Sequence, residues 1–142
     1  MPTLNLKVAP LQNPERYQAL ASALTSLTAH FLGKRPEVTA VIIEDLPTVR
    51  WYIGGYAAQR PTALLEISIT QGTNTAEEKA AFIQAAFAEL QRQLCDHMGQ
   101  LEEASYVIVR ELAASDWGYG GHTQLARRNT RLVSALPSDA GR

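Results

Sequence analysis

The chain lacks the features that mark several large functional classes. Its 142 residues include one cysteine, so an internal disulfide is excluded. No stretch approaches the roughly 20 apolar residues of a membrane span, and the first residues do not form the basic segment and apolar core of a signal peptide. The formal net charge of -1 provides no general attraction to nucleic acid. We therefore expect a cytoplasmic protein that binds neither nucleic acid nor membrane.

Motifs for metals and nucleotides are also missing. His30, His97 and His122 share no ligand spacing, and no cysteine accompanies them. Neither a GxGxxG nor a Walker sequence occurs. Cys95 lies in an apolar helical pattern, which favours a buried, inert thiol over a nucleophile. We expect no metal and no cofactor.

What the chain does contain is an internal repeat. Pro2-Thr3 returns as Pro61-Thr62, and several apolar positions that follow return at the same offset of 59 residues. Further along, the segment 51–55 (WYIGG) returns as 117–121 (WGYGG) at an offset of 66 residues. Two copies of one structural unit are therefore predicted, the second with seven more residues in its middle.

Each copy is predicted to form a strand, a helix and a second strand. The first helix is expected to begin at Asn13-Pro14 and to end at Gly33. A capping box at Thr75 to Glu78 predicts the start of the second helix, which should stop near Gly99. Alternating apolar residues predict strands at 3–8, 39–44, 64–70 and 106–111. The expected apolar stripes of the two helices are Tyr17, Leu20, Leu24, Leu27 and Phe31, and Ile83, Phe87, Leu90 and Leu94.

These elements predict an α+β fold in which tandem βαβ units form a four-stranded mixed sheet with both helices on one face. We expect one domain over 1–142, with repeats 2–59 and 61–128 and a flexible tail at 137–142. The second sheet face then needs cover. Val41, Ile43, Val107 and Val109 suggest inner strands that are apolar on both faces, which predicts an oligomer. The Gly-Gly pairs at 54–55 and 120–121 are expected in tight hairpins.

The Met-Pro-Thr-Leu start, the duplicated βαβ unit and the aromatic-x-x-Gly-Gly close resemble the tautomerase superfamily over roughly residues 2 to 128. That superfamily includes 4-oxalocrotonate tautomerase, cis-3-chloroacrylic acid dehalogenase, malonate semialdehyde decarboxylase and macrophage migration inhibitory factor. The length is similar to that of its fused, trimeric members. The resemblance implies that Met1 is removed and that the nitrogen of Pro2 transfers protons. Pro61 has no free amine and is expected to be structural.

The arginines that accompany this proline in several branches are absent. The two positions used by the 4-oxalocrotonate branch are Gln12 and Ala40 here, and the segment 70–74 that corresponds to the dehalogenase arginines has none. The segment 33–36 (GKRP) is similar instead to the Gly-Lys-Pro-Pro of the macrophage migration inhibitory factor branch, which implies that Lys34 binds a substrate carboxylate. Tyr106 falls where that branch has an active-site tyrosine from the neighbouring subunit.

Other interpretations of these residues remain open. Lys34 could instead be a solvated lysine that follows the C-terminus of a helix, where the helix dipole favours a positive charge. Tyr106 could belong to the core. Arg110, on the same strand face as Tyr106, either replaces a lost arginine or forms a surface or interface ion pair. Trp51 and Trp117 either line a pocket or pack in the core.

The function that these residues indicate is that of a cofactor-independent tautomerase or isomerase in which Pro2 acts as acid and base on a small 2-oxo acid or enol carboxylate. The alternatives are a hydratase or dehalogenase of an unsaturated acid with the same proline, and a catalytically silent scaffold that acts as an interaction protein. A homotrimer is expected in each case.

Overall fold

A computed structural model describes residues 2–97 and 99–135. Met1 and the predicted tail at 137–142 lie outside the described residues. The elements in chain order are β1 (Thr3–Ala9), α1 (Pro14–Leu32), β2 (Ala40–Asp45), β3 (Tyr52–Ile53), β4 (Tyr56–Ala57), β5 (Thr62–Thr70), α2 (Ala76–Leu94), β6 (Tyr106–Leu112), β7 (Gly118–Tyr119), β8 (His122–Thr123) and α3 (Gln124–Ala135). No helix in the described residues is long and apolar enough to cross a membrane.

The main sheet has four strands in the order β2-β1-β5-β6. β1 pairs with β2 and β5 pairs with β6 in parallel, as two βαβ crossovers require. The central pair, β1 and β5, is antiparallel, with Thr3 opposite Ser68 and Ala9 opposite Thr62. The predicted four-stranded mixed sheet is confirmed.

Local signals define the helix ends. The side chain of Asn13 accepts a hydrogen bond from the backbone N–H of Arg16 at 2.9 Å, and Pro14 occupies the first turn. At the other end of α1, Gly33 has φ 67°, a conformation that glycine adopts at little cost. The capping box of α2 is formed by Thr75 and Glu78. α2 ends at Leu94, earlier than the expected end near Gly99.

Both helices pack on one face of the sheet. Their contact with each other and with the strands buries one contiguous apolar cluster, whose largest fully buried side chains are Phe82, Leu4, Leu6, Leu20, Leu24, Leu65, Ile67, Ile69 and Leu90. Burying a side chain of this size contributes about 1.5–3 kcal/mol to folding. This layer therefore accounts for the main hydrophobic stabilisation of the chain.

The interpretation of the strand faces was wrong in one respect. Val41, Ile43, Val107 and Val109 lie on the edge strands β2 and β6, and all four pack against the helix-side core. Because side chains alternate, their neighbours point to the opposite face, which we call the open face. The open face is mixed: charged residues stand beside the exposed Ile42 and Tyr106.

The apolar stripe of α2 is also displaced from the predicted one. Its fully buried positions are Phe82, Ala86 and Leu90, whereas Ile83 is 39% exposed. Phe87 and Leu94 pack at the margin of the core. Alanine-rich helices leave their buried face ambiguous, because alanine is accepted both inside and outside.

Each repeat ends in a two-residue hairpin, and the second is followed by a helix that the sequence patterns do not predict. Gly54, Gly55, Gly120 and Gly121 all have positive φ, as a tight hairpin turn requires. The third helix, α3, contains the basic segment 127–131 and contacts β8.

The two adjacent positions on α2 provide a test of the core assignment. Phe82→Ala should lower the free energy of unfolding by about 3–5 kcal/mol, because it leaves a cavity in the core. Ile83→Ala is the matched control and should cost less than about 1 kcal/mol. Denaturant unfolding of both variants at one protein concentration measures the difference. Equal losses would contradict the assigned helix face.

Candidate active site

Pro2 lies at the end of a central strand. It is buried, and its carbonyl oxygen accepts a hydrogen bond from the N–H of Ala40 at 3.3 Å. Because β1 and β5 are antiparallel, the start of β1 lies beside the finish of β5, near Thr70. β6 finishes at the same end of the sheet, since Thr70 pairs with Leu112. We call this the Pro2 end of the sheet.

A chain of hydrogen bonds brings Lys34 to this end. Its Nζ donates to the hydroxyl of Thr73 at 2.8 Å, and that hydroxyl donates to the carbonyl oxygen of Thr70 at 2.6 Å. The side-chain amide of Asn74 donates to the carbonyl oxygen of Leu32 at 3.0 Å. These bonds join the end of α1 to the loop between β5 and α2, so both segments hold Lys34 in place.

Burial lowers the pKa of Lys34, because removal from water disfavours the charged ammonium. The nearby carboxylates of Glu78 and Glu111 act in the opposite direction and partly offset this effect. Lys34 is only half-buried, so its head remains reachable from solvent. Lys34 is therefore a half-buried, hydrogen-bonded lysine and not a freely solvated one.

A cavity of about 270 Å³ opens beside this network. We call it the Pro2-end cavity. Its wall contains four cations and, within the described residues, no Asp or Glu; the lining residues are Gly33, Lys34, Arg35, Thr70, Thr73, Ala114, Gln124, Arg128 and Arg131. Pro2 is not part of the wall and is placed next to it by strand pairing. Such a wall favours binding of a small anion.

Two of the arginines in this wall come from α3, which is fixed against the second hairpin. The guanidinium of Arg127 lies 3.8 Å from the ring centre of Tyr119 and donates to its carbonyl oxygen at 2.9 and 3.2 Å. The N–H of Leu125 donates to the carbonyl oxygen of Ala114 at 2.8 Å. A Cβ at Gly118 would lie 2.0 Å from the carbonyl oxygen of His122, so only glycine permits this close hairpin. The hairpin thereby orients α3 toward the cavity.

Trp117 belongs to the same end. It is half-buried, and its indole N–H donates to the hydroxyl of Thr70 at 3.2 Å. That hydrogen bond fixes the ring beside the finish of β5. Of the predicted site residues, the structure therefore brings Lys34, Trp117 and Arg110 to the end of the sheet where Pro2 lies, Arg110 through the pairing of Ser68 with both Thr3 and Arg110.

The opposite end of the sheet carries the second copy of the same arrangement. Pro61 lines a cavity of about 490 Å³ there, together with Arg60, Cys95 and Asp96. Asp96 stands two residues after the end of α2, as Lys34 stands two residues after the end of α1. Burial, followed by the charge of Asp96, raises the pKa of the Cys95 thiol. The position that is a cation at the Pro2 end is therefore an anion at the Pro61 end.

Tyr106 and Trp51 lie away from Pro2 within the chain, whereas Arg110 lies at the Pro2 end of the sheet, because Ser68 pairs with both Thr3 and Arg110. Tyr106 is 63% exposed and shares an open-face cavity of about 490 Å³ with Trp51, Lys7 and Arg50. Tyr106 pairs with Leu64, which in turn pairs with Lys7 on β1. Lys7 is five positions along the strand from Pro2, which corresponds to about 17 Å at 3.3 Å per residue.

Arg110 lies on the open face and donates from Nη2 to Oε1 of Glu66 at 3.1 Å. Both side chains are partly solvated, with 55% and 27% exposure, so this contact is worth at most about 1 kcal/mol. The ion-pair interpretation of Arg110 therefore describes the contact that it makes within this chain.

Sequence reasoning missed several residues of the Pro2-end cavity. Arg128 and Arg131 stand inside a basic segment for which the sequence patterns predict no element. Their spacing of three residues places them on one face of a helix, which would have predicted that they act together but not which part of the fold they meet. No sequence signal joins Thr73 to Lys34, because their contact spans 39 positions.

Comparisons with known proteins concern the fold and the first repeat. The family model described as Tautomerase, a tautomerase enzyme, matches residues 2–58. None of the curated proteins matches the chain significantly. Solved structures resemble it over most of its length.

A wild-type fused 4-OT described as a symmetric trimer is 22% identical, has a TM-score of 0.74, and is matched over 88% of this chain and 98% of its own. A member of the cis-3-chloroacrylic acid dehalogenase family is 20% identical with a TM-score of 0.74, over 95% of this chain and 92% of its own. A macrophage migration inhibitory factor-like protein from Entamoeba histolytica is 15% identical with a TM-score of 0.68, over 86% and 97%. The predicted resemblance to the tautomerase superfamily is confirmed by the family model over residues 2–58, and the solved structures show that most of the chain shares their fold.

The environment of Lys34 can be tested by titration. NMR of its side-chain carbon next to Nζ should give a pKa below that of an ordinary lysine, because burial disfavours the charge. Glu78→Gln should lower the pKa further, since it removes one favourable charge and keeps a side-chain acceptor for the cap of α2. Lys7, which is exposed, is the reference signal. An unchanged Lys34 pKa in the variant would contradict this account.

Proposed function

We propose that the protein is a cofactor-independent tautomerase or isomerase that uses Pro2 as acid and base on a small 2-oxo acid or enol carboxylate. The observation that carries the proposal is the position of Pro2 at the end of a central strand, beside a cavity whose wall has four cations. In this proposal Met1 is removed, which exposes a prolyl amine at that place.

The surroundings favour a neutral amine. An ordinary α-amino group titrates at about 7.7–8.0, and the secondary amine of proline is intrinsically more basic. Burial of Pro2 and the positive charges of the cavity both disfavour the protonated form, so they shift the amine toward a neutral base at working pH. A neutral amine can remove the proton alpha to a carbonyl and return it to another atom of the enolate.

The cation requirement of this chemistry is met by Lys34. A carboxylate bound to its ammonium stands close to the loop that Thr70 and Thr73 form, and the positive charge stabilises the enolate that develops when the proton leaves. Trp117 closes the same end and reduces contact with water. Pro61 has no free amine and faces a cavity with Asp96, so we propose one active site in each chain.

We further propose that the protein is a homotrimer. The open face of the sheet has no helix over it, and Ile42 and Tyr106 are 55% and 63% exposed there. Solved structures with this fold are described as trimers of fused 4-OT. Tyr106, about five strand positions from Pro2 in its own chain, would then act in the site of a neighbouring subunit, with Trp51 and Arg110 on the same surface.

The role of Pro2 is tested by kinetics. Pro2→Ala should lower the rate of ketonisation of the enol of phenylpyruvate or of 2-hydroxymuconate by about 10²–10⁴-fold, the range of a general acid-base contribution. Pro61→Ala is the matched control and should leave the rate unchanged. Absorbance follows both reactions, and mass spectrometry of the intact protein checks that Met1 is absent.

Three results would overturn the proposal: retention of Met1, full activity in Pro2→Ala, or an equal loss in Pro61→Ala. If the protein converts an unsaturated acid but no enol, and this activity depends on Pro2, the hydratase or dehalogenase alternative is correct. No turnover of either class would favour the silent scaffold.

Assembly is tested by light scattering after gel filtration. The wild-type mass should be three times the chain mass of 15.5 kDa. Ile42→Lys places a charge in the open face and should shift the protein to smaller species, because an unpaired charge in an interface costs several kcal/mol. Ile83→Lys, on the solvent side of α2, is the control and should stay trimeric. A monomeric wild-type protein would contradict the trimer.

A further inference from the structure

Three cations converge on the Pro2-end cavity from two separate walls. Lys34 comes from the segment after α1, and Arg128 and Arg131 come from α3. The two arginines are three residues apart, so they share a helix face. Thr73 and Thr70 fix the first wall, whereas the contacts of Arg127 with Tyr119 fix the second.

The cations of these two walls differ in whether a carboxylate lies near them. Of the four cations that line the cavity, Arg35 has an acidic partner, Glu37, at 3.0 Å. Within residues 2–97 and 99–135, neither Arg128 nor Arg131 forms an ion pair. Lys34 has the carboxylates of Glu78 and Glu111 nearby, so the two α3 arginines are the cations that still need a counter-charge. An arginine binds an oxyanion through a two-pronged fork.

The cavity lined by Pro61 at the opposite end of the sheet, which we call the Pro61-end cavity, can be compared with the Pro2-end cavity. There Arg60 is the arginine of the wall and Asp96 provides an opposite charge within the same cavity. The hairpin at that end, β3–β4, leads into β5, whereas the hairpin at the Pro2 end, β7–β8, leads into α3. Of the two cavities beside Pro2 and Pro61, the one at the Pro2 end has a wall of cations without an acidic residue among the described residues.

We propose that Lys34, Arg128 and Arg131 form a subsite for a ligand with two negative charges, and that α3 is the element that sets this specificity. This inference rests on the proposed function only in placing the ligand next to Pro2. Lys34 binds the charge nearest the reacting carbon, and the α3 arginines bind the second charge. The cavity of about 270 Å³ limits the ligand to a small molecule, either a short dicarboxylate or a compact phosphate.

Calorimetric titration at constant ionic strength tests the subsite without any turnover. The probes are succinate, butyrate as the monocarboxylate of the same chain length, and inorganic phosphate. The protein is used as the full chain in its native assembly, in wild-type, Arg128→Gln/Arg131→Gln, Arg60→Gln and Pro2→Ala forms. Circular dichroism checks that α3 and the rest of the fold are retained.

In the wild-type protein succinate or phosphate should bind at least tenfold more tightly than butyrate. The double arginine variant should lose about tenfold or more of the dianion affinity, the effect of a lost charged hydrogen bond, with a smaller change for butyrate. Arg60→Gln should bind as the wild type does. Whether succinate or phosphate binds better identifies an extended or a compact dianion.

Equal binding of butyrate and both dianions, or dianion binding that survives in the double variant, would overturn the subsite. Pro2→Ala separates the two proposals, because it should keep dianion binding while losing turnover. If the dianions bind with the expected pattern but turnover does not depend on Pro2, the subsite is supported and the proposed mechanism is wrong.

Discussion

The antiparallel pairing of β1 with β5 is the contact on which the rest of the structure depends. It joins two parallel βαβ units into one sheet and buries Leu4 and Leu6 against Leu65 and Ile67. It also decides which segments meet. The start of β1 lies where β5 and β6 finish, so the surroundings of Pro2 come mainly from the second repeat. A parallel pairing of the same strands would put Pro2 beside Pro61 and away from these loops.

This antiparallel pairing allows the two ends of the sheet to differ, although the chain is a duplication. The strands and helices must keep their shapes, because both repeats contribute to one core. Residues after the helices and strands are free of that requirement. Lys34 and Asp96 occupy corresponding places with opposite charges, and α3 follows the second hairpin, whereas β5 follows the first. The asymmetry in charge thus arises in loops and in one added helix, outside the shared core.

The sequence was sufficient to predict the elements that short-range rules control. The caps at Asn13 and Thr75 and the hairpin glycines appear as predicted, because each acts within a few residues. Assignment of side chains to faces was less secure. Ile83 proved exposed and Val41 proved helix-facing, since an apolar run does not by itself say which neighbour covers it. The wall of the Pro2-end cavity was not predictable from the pattern, because it requires Thr73 to meet Lys34 and α3 to reach the same loop.

The absence of the arginines that accompany this proline in several tautomerase branches can be judged against the three-dimensional structure. A carboxylate responds to the position of a positive charge and not to the strand or loop that carries it. The positions corresponding to Gln12 and Ala40 lack arginine, yet Arg128 and Arg131 reach the end of the sheet where Pro2 lies. Since α3 is held by the close hairpin at Gly118 and by Arg127 on Tyr119, the charge is placed by a rigid element and not by a solvated tail. In the proposed enzyme the acid-base group and the arginines that bind the second negative charge of the ligand therefore come from opposite ends of the chain, and the central strand pair brings them together.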